Sequence, residues 1–300
     1  MPEPIFLDYD RPALDAQYNN RLKVPHFPEY IERWRRESAA ARSRLDCRAD
    51  VAFGPSAAER LDVFPAAGGR SGGAGSPVLV FIHGGYWMML DKSDADYVAA
   101  GFVPQGIATV VINYALMPAV SMDELVAQCR RAVAWTLRHA GSFGGDPARV
   151  AVCGHSAGGH LTAMVAATDW ADPASYGAAE APPTRPIGGY SLSGLHDLEP
   201  IRLCYLNDTL GLSPIDAARN SPMRLAPPPD GCWMLAVGGD EGPEYLRQTF
   251  GLAQAWGSHG RRQVAAQVLK QTDHFMIADC LDDPAAPLTA AIAHDLHSRR

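Results

Sequence analysis

Residues 154–158 read Gly-His-Ser-Ala-Gly, and they lie between an apolar run, Arg149–Cys153, and a helix-like stretch, His160–Thr168. A strand that turns sharply into a helix needs glycines on both sides of the turn, because side chains there would collide with neighbouring backbone. Such a turn exposes its central residue, and Ser156 therefore has the position of a nucleophile. Because the bare Gly-x-Ser-x-Gly pattern also arises by chance, its interpretation needs further signals.

A second motif lies upstream, where the apolar run Pro77–Ile82 is followed by His-Gly-Gly-Tyr-Trp at residues 83–87. Backbone N–H groups that stabilise an oxyanion come from the residue after the nucleophile and from a His-Gly-Gly loop after an earlier strand. The sequence predicts these donors at Ala157, Gly84 and Gly85. The alternative is a tight turn that only closes a buried strand, but two motifs in the expected order favour the oxyanion loop.

A serine nucleophile needs a base and an acid, and in this arrangement they follow in the chain order Ser, Asp or Glu, His. The buried run Cys232–Val237 is followed by Asp240 and Glu241, and the last predicted strand, Val264–Leu269, is followed by His274. We therefore predict His274 as the general base. The residues alone leave the acid open between Asp240 and Glu241.

One further pair competes for these roles, because His196 and Asp197 follow another apolar segment, Ile187–Leu195. His274 is preferred as the base because of its place after the last strand. Asp197 remains an alternative acid.

Apolar strand-like runs alternate with helix-like spans along most of the chain. Runs at Glu59–Phe64, Pro77–Ile82 and Ala108–Asn113 precede a helix predicted from about Met122 to Arg138, whose start resembles a capping box. Strands separated by helices imply a mostly parallel, doubly wound sheet with helices on both faces and a site at the strand C-termini. The sequence thus predicts an α/β class, with the serine-elbow motifs pointing to the α/β-hydrolase fold.

The chain is predicted to be one domain, residues 1–300, with an N-terminal helical segment at 1–50 and a catalytic core at 51–300. The stretch from Tyr30 to Leu45 reads as an amphipathic helix that either caps the site or docks elsewhere on the sheet. A second cap contribution is predicted from Leu203–Met223. The Gly-rich residues 66–76 are expected to form a surface hairpin loop between two strands.

Five segments of the chain resemble the kynurenine formamidase (arylformamidase) group of α/β-hydrolases, within the wider hormone-sensitive-lipase-like esterases. The resemblance extends from about Tyr18 onward. It rests on His83–Trp87, Asn113–Pro118, Gly154–Leu161, Ser193–Pro200 and Pro243–Gln248.

The resemblance implies that the acid stands two residues before a Pro-Glu-aromatic segment, which selects Glu241, although many members carry Asp there. It implies hydrolysis of an aryl formamide, N-formylkynurenine, to kynurenine and formate. The alternatives are a general short-chain carboxylesterase and, with less support, a catalytically inactive binding module. The resemblance also implies that Tyr205–Asp208 lies near the pocket.

The residues after the oxyanion loop are predicted to contact substrate or to belong to the core. Tyr86 and Trp87 are the substrate-binding candidates, and Met88, Met89 and Tyr114 are further candidates for an apolar, aromatic-accepting pocket.

Composition limits the partners. The net charge is −7 without a basic stripe, which gives nucleic-acid binding no electrostatic support. The residues indicate neither a signal peptide nor a membrane span, so we expect a cytoplasmic enzyme with a small-molecule substrate and no membrane partner, and a homodimer is left open. We expect no cofactor and no metal, and the six scattered cysteines indicate reduced, mostly buried thiols.

Overall fold

The computed structural model describes residues 3–68, 75–257 and 263–299, and eight strands in these ranges form one sheet. Their order across the sheet is β1-β2-β4-β3-β5-β6-β7-β8. The β1–β2 and β2–β4 pairs are antiparallel, and every other pair is parallel. The strands are β1 (Arg48–Ala52), β2 (Arg60–Phe64), β3 (Ser76–Ile82), β4 (Ala108–Ile112), β5 (Gly145–His155), β6 (Gly188–Leu192), β7 (Cys232–Gly238) and β8 (Gln263–Leu269).

Helices precede the sheet, connect its strands and follow it. The α-helices are α1 (Arg11–Tyr18), α2 (Asn20–Lys23), α3 (Phe27–Arg44), α4 (Val98–Phe102), α5 (Met122–His139), α6 (Ala157–Ala166), α7 (Glu199–Leu203), α8 (Asn207–Leu210), α9 (Pro214–Arg219), α10 (Pro243–Gly257), α11 (Met276–Asp279) and α12 (Pro287–Ser298). Short 3₁₀ helices lie at Lys92–Asp94, Val103–Gln105, Ala140–Phe143, Pro173–Tyr176, Pro222–Arg224 and Cys280–Asp282. No described helix combines the length and apolarity that crossing a membrane requires.

Helices cover both faces of the central strands. Because side chains alternate along a strand, Val78 and Val80 of β3 belong to the core on one face, while Leu79 and Phe81 belong to the core on the other. Helix α5 packs into the first core, and α4 and α12 pack into the second. Burial on both faces explains why β3 reads as a continuous apolar run, and the predicted α/β class is confirmed.

The structure departs from the sequence predictions at the edge of the sheet. Strand β1 was not predicted, because four of its five residues are exposed and it carries no apolar run. Strands β2 and β3 are separated by β4, so the segment between them is not a hairpin loop. The middle of that segment, residues 69–74, lies outside the described residues. Strand β5 also begins earlier than expected, at Gly145.

The turn between β5 and α6 has the backbone strain that the serine elbow requires. Ser156 has φ 58° and ψ −117°, an unfavourable conformation for a residue with a side chain. A Cβ atom at Gly158 would lie 2.0 Å from the carbonyl oxygen of Ile82, so only glycine lets α6 approach β3 this closely. The approach fixes the start of α6 beside the C-terminal end of β3.

We expect Gly158→Ala to lower the free energy of unfolding by about 1–3 kcal/mol. The added methyl group collides with backbone atoms, which cannot rotate away as a side chain can. Gly141→Ala is the matched control, since a Cβ atom at that exposed position meets no heavy atom within 4 Å. Thermal unfolding of the two variants checks the expectation, and equal melting temperatures would contradict it.

Candidate active site

Three polar side chains meet at the C-terminal edge of the sheet. Ser156 follows β5, Glu241 follows β7 and His274 follows β8. The Nε2 atom of His274 lies 3.0 Å from the Oγ atom of Ser156, and its Nδ1 atom donates to Oε2 of Glu241 at 2.6 Å. The structure therefore brings together the serine, base and acid that the sequence predicts, within hydrogen-bond distance of one another.

The carboxylate of Glu241 is held by more than the imidazole. Its Oε1 atom accepts hydrogen bonds from the Ser193 hydroxyl at 2.5 Å and from the Gly238 N–H at 2.6 Å. Glu241 is only 1 % exposed, and a buried carboxylate requires such donors in place of water. The three donors orient Oε2 toward His274, so the longer side chain of glutamate is accommodated without loss of the contact.

The alternative residues lie elsewhere. Asp240 is exposed, and Asp197 pairs with Arg247 at 3.1 Å. His196 is buried and shares a hydrogen bond of 2.9 Å with Ser191. None of the three contacts His274, so the geometry selects Glu241 as the acid.

His155, directly before the serine, supports the segment that carries the base. Its Nε2–H donates to the backbone carbonyl of His274 at 2.7 Å, and its ring packs edge-on against Trp34. Burial, together with the neighbouring His274, lowers the pKa of His155 well below its usual value, so this imidazole is neutral. A proton arriving at His274 therefore meets no second positive charge from His155.

The His-Gly-Gly loop lies against the elbow. A Cβ atom at Gly84 would lie 2.9 Å from the backbone carbonyl oxygen of His155 and 3.2 Å from the Cβ atom of Ser156, so a side chain here would push the loop away from the elbow. The hydroxyl of Tyr114 donates to the carbonyl of His83 at 3.0 Å and holds the loop from behind. Within the described ranges the N–H groups of Gly85 and Ala157 donate no hydrogen bond, which leaves both available to a substrate oxygen.

Ser156 and His274 open onto a cavity of about 240 Å³. Tyr86 and Met89 line it, as the sequence predicts for the residues after the loop, and Phe275 contributes a further aromatic wall. Met88 faces an adjoining cavity instead.

Trp87, which the sequence leaves open as a substrate-binding or a core residue, lies in the core. Trp87 is fully buried, and its indole N–H donates to Nδ1 of His160 at 3.1 Å. Tyr86 and Trp87 both have positive φ values, 50° and 59°. In this left-handed turn Tyr86 lines the cavity while Trp87 packs into the core.

The N-terminal segment forms the outer wall of the cavity. Phe27, Ile31 and Trp34 of α3 line it together with Ser156. The ammonium group of Lys23 donates to the backbone carbonyl of Glu241 at 2.7 Å, and the Asn20 amide donates to the Tyr245 hydroxyl at 2.7 Å. The segment is thus joined to the site by hydrogen bonds as well as by apolar contact.

Sequence reasoning missed three of these supporting residues. Ser193 stands directly after β6, and its place at a strand end could have marked it. Lys23 and Asn20 carry no such signal, because they reach the site through long-range packing. No group of three or more His, Cys, Asp or Glu side chains suited to a metal ion lies in the described part of the chain.

Comparison with known proteins agrees with this geometry. The BD-FAE family profile matches residues 61–176. The kynurenine formamidase of Danio rerio is 34 % identical over 254 residues, which cover 83 % of this chain and 82 % of the relative. The kynurenine formamidase of Salmo salar is 28 % identical over 288 residues, with 94 % and 93 % coverage. A solved structure from Silicibacter sp. TM1040, provisionally described as a thioesterase, has a TM-score of 0.77 at 29 % identity and covers 93 % of this chain and 98 % of its own.

The adjacent acids provide a test of the site. We expect Glu241→Gln to lower kcat about 10³- to 10⁴-fold, because the amide cannot stabilise an imidazolium at His274. Asp240→Asn is the matched control and should change kcat less than twofold, since its side chain is exposed. Steady-state hydrolysis by the two purified variants measures the difference, and equal effects would remove Glu241 from the role of acid.

Proposed function

The chain belongs to the kynurenine formamidase family of α/β-hydrolases, and on this premise we propose that it hydrolyses N-formylkynurenine to kynurenine and formate. Similarity to its relatives shows the broader class, a formamidase or esterase. The observation that carries the proposal is the hydrogen-bonded series Ser156, His274 and Glu241, which opens onto a small cavity with aromatic walls.

The geometry supports a two-step acyl transfer. Ser156 Oγ attacks the formyl carbon while Nε2 of His274 takes the hydroxyl proton, and Glu241 stabilises the imidazolium that results. The N–H groups of Gly84, Gly85 and Ala157 are proposed to stabilise the oxygen on which negative charge develops, a contribution of about 3–4 kcal/mol per donor.

The leaving group and the water then use the same base. His274 returns its proton to the aryl nitrogen as the C–N bond breaks, which releases the arylamine and leaves a formyl ester on Ser156. A water molecule, deprotonated by His274, attacks this ester. His274 returns this proton to the serine oxygen as formic acid departs, and the acid ionises to formate in water, so the enzyme is regenerated with no other reactant.

The cavity suits an aryl formamide. A volume of about 240 Å³ is slightly below the usual range for ligand pockets, about 300–1,000 Å³, and so fits a small substrate. Phe27, Trp34 and Phe275 offer flat apolar surface to an aryl ring. The hydrogen that a formyl group carries in place of a larger acyl chain requires little room beside Gly84, which lies close to Ser156.

The test is kcat/KM of the purified protein for N-formyl-L-kynurenine and for p-nitrophenyl acetate. We expect the formamide to be preferred by at least ~10-fold, a difference of about 1.4 kcal/mol in the transition state. Ester cleavage without formamide cleavage would leave the hydrolase and its site in place but reject the proposed substrate in favour of a short-chain carboxylesterase.

A serine variant identifies the nucleophile in both assays. Ser156→Ala should lower kcat by about 10⁴-fold or more for either substrate, because no other group supplies the attacking oxygen. Far-ultraviolet circular dichroism confirms that the variant is folded. Turnover near the wild-type level in a folded variant would exclude Ser156 as nucleophile.

A further inference from the structure

The wall of the catalytic cavity contains a cation that the proposed mechanism does not use. Arg21, in α2, lines the cavity together with Ser156 and His274. Its guanidinium lies 5.4 Å from the centre of the Phe27 ring, and its Nη2 atom contacts the sulfur of Met89 at 3.0 Å. No carboxylate of the described ranges forms an ion pair with it.

The second arginine of the cavity is in a different state. Arg35 donates through Nε to Oδ1 of Asp94 at 2.9 Å, so its charge is already balanced. The described lining contains no Asp or Glu side chain. A guanidinium remains protonated at every relevant pH, and the catalytic cavity therefore carries one positive charge without an anionic partner.

Arg21 is exposed, so water hydrates its guanidinium, and its contacts within the protein orient the group without supplying a strong acceptor. A thioether sulfur is a weak acceptor, and an aromatic face offers attraction but no hydrogen-bond acceptor in the plane of the donors. A carboxylate can accept two parallel N–H bonds from the same group. A substrate carboxylate can therefore replace the Met89 contact and part of the hydration of the guanidinium.

Arg21 also lies where a substituent of the aryl ring could extend. A second cavity of about 240 Å³ adjoins the first, and the two share Asn20, Arg21, Tyr86 and Met89 as lining residues. A substrate whose reacting group is at Ser156 can thus direct a side chain toward Arg21 and the second cavity.

We propose that Arg21 binds a carboxylate of the substrate and thereby makes this hydrolase selective for aryl formamides or aryl esters that carry an acidic side chain. The proposal deepens the proposed function and rests on it for the formamide, but the ester form of the proposal can be tested independently. Because the cavity lining offers no acid, the selectivity is for the carboxylate and not for an amino group.

Two pairs of probes distinguish selectivity for the charge of the substrate from selectivity for the bond that is cleaved. The formamide pair is N-formyl-L-kynurenine and N-formyl-o-aminoacetophenone, which lacks the amino-acid end. The ester pair is the acetate ester of p-hydroxyphenylpropionate and that of its carboxamide, which differ in charge but hardly in size. For each pair the readout is the ratio of kcat/KM for the charged probe to that for the neutral probe.

We expect Arg21→Met to lower this ratio about 10- to 100-fold, because one charge-assisted pair is lost. Neutral probes should keep their kcat/KM within about threefold. Arg36→Met is the matched control: it removes the same charge from an exposed residue paired with Glu37 outside the cavity, and its ratio should stay unchanged. Arg21→Lys should retain part of the preference for the charged probe. Added salt should raise the KM of the wild type for the charged probes, and this effect should be absent in Arg21→Met.

The outcomes distinguish the two proposals. Charge selectivity in the ester pair without formamide cleavage would support the role of Arg21 and reject the proposed substrate. Formamide cleavage with the same ratio in wild type and Arg21→Met would keep the substrate and overturn the role of Arg21. An equal loss for charged and neutral probes, or an equal loss in Arg36→Met, would also overturn it.

Discussion

The buried carboxylate of Glu241 is the constraint on which the site depends. An ionised group removed from water must be compensated by donors within the protein, and here the donors come from different parts of the sheet. Ser193 follows β6, Gly238 ends β7 and His274 follows β8, while Ser156 follows the neighbouring β5. Four adjacent parallel strands therefore have to end at the same level for the acid, the base and the nucleophile to meet. The strand order of the sheet places these four strand ends side by side.

The segment that carries Glu241 also contacts the N-terminal helices. Lys23 donates to the backbone carbonyl of Glu241, and Trp34 of α3 packs against His155, whose imidazole in turn holds the backbone of His274. The N-terminal segment thus contacts both the acid and the base from outside while Phe27 and Ile31 close the cavity. A displacement of this segment's backbone would therefore disturb the catalytic groups as well, whereas a side chain that only lines the cavity can change without that effect.

The sequence was informative where a local backbone geometry demands particular residues. The elbow around Ser156 and the loop at Gly84 and Gly85 are motifs because glycine alone permits their close approaches, so they could be recognised without a structure. The choice between Asp240 and Glu241 could not be made from the residues themselves, because adjacent loop residues point in different directions. The division between Tyr86, which lines the cavity, and Trp87, which packs in the core, has the same origin, since it depends on two left-handed backbone conformations. Strand β1 could not be predicted, because it lies exposed at the edge of the sheet and its residues show no apolar pattern.

Chemistry and selectivity are consequently encoded in different ways. The catalytic groups stand at strand ends, where the order of motifs along the chain follows the order of strands in the sheet. Arg21 and Phe27 reach the cavity from a segment that precedes the sheet, through tertiary packing that leaves no periodic or spaced signature. The amphipathic pattern around Trp34 predicts a buried helix face but not the surface against which it packs. A change in this segment can alter which substrate side chain is accepted while the strand ends keep the acyl-transfer machinery unchanged.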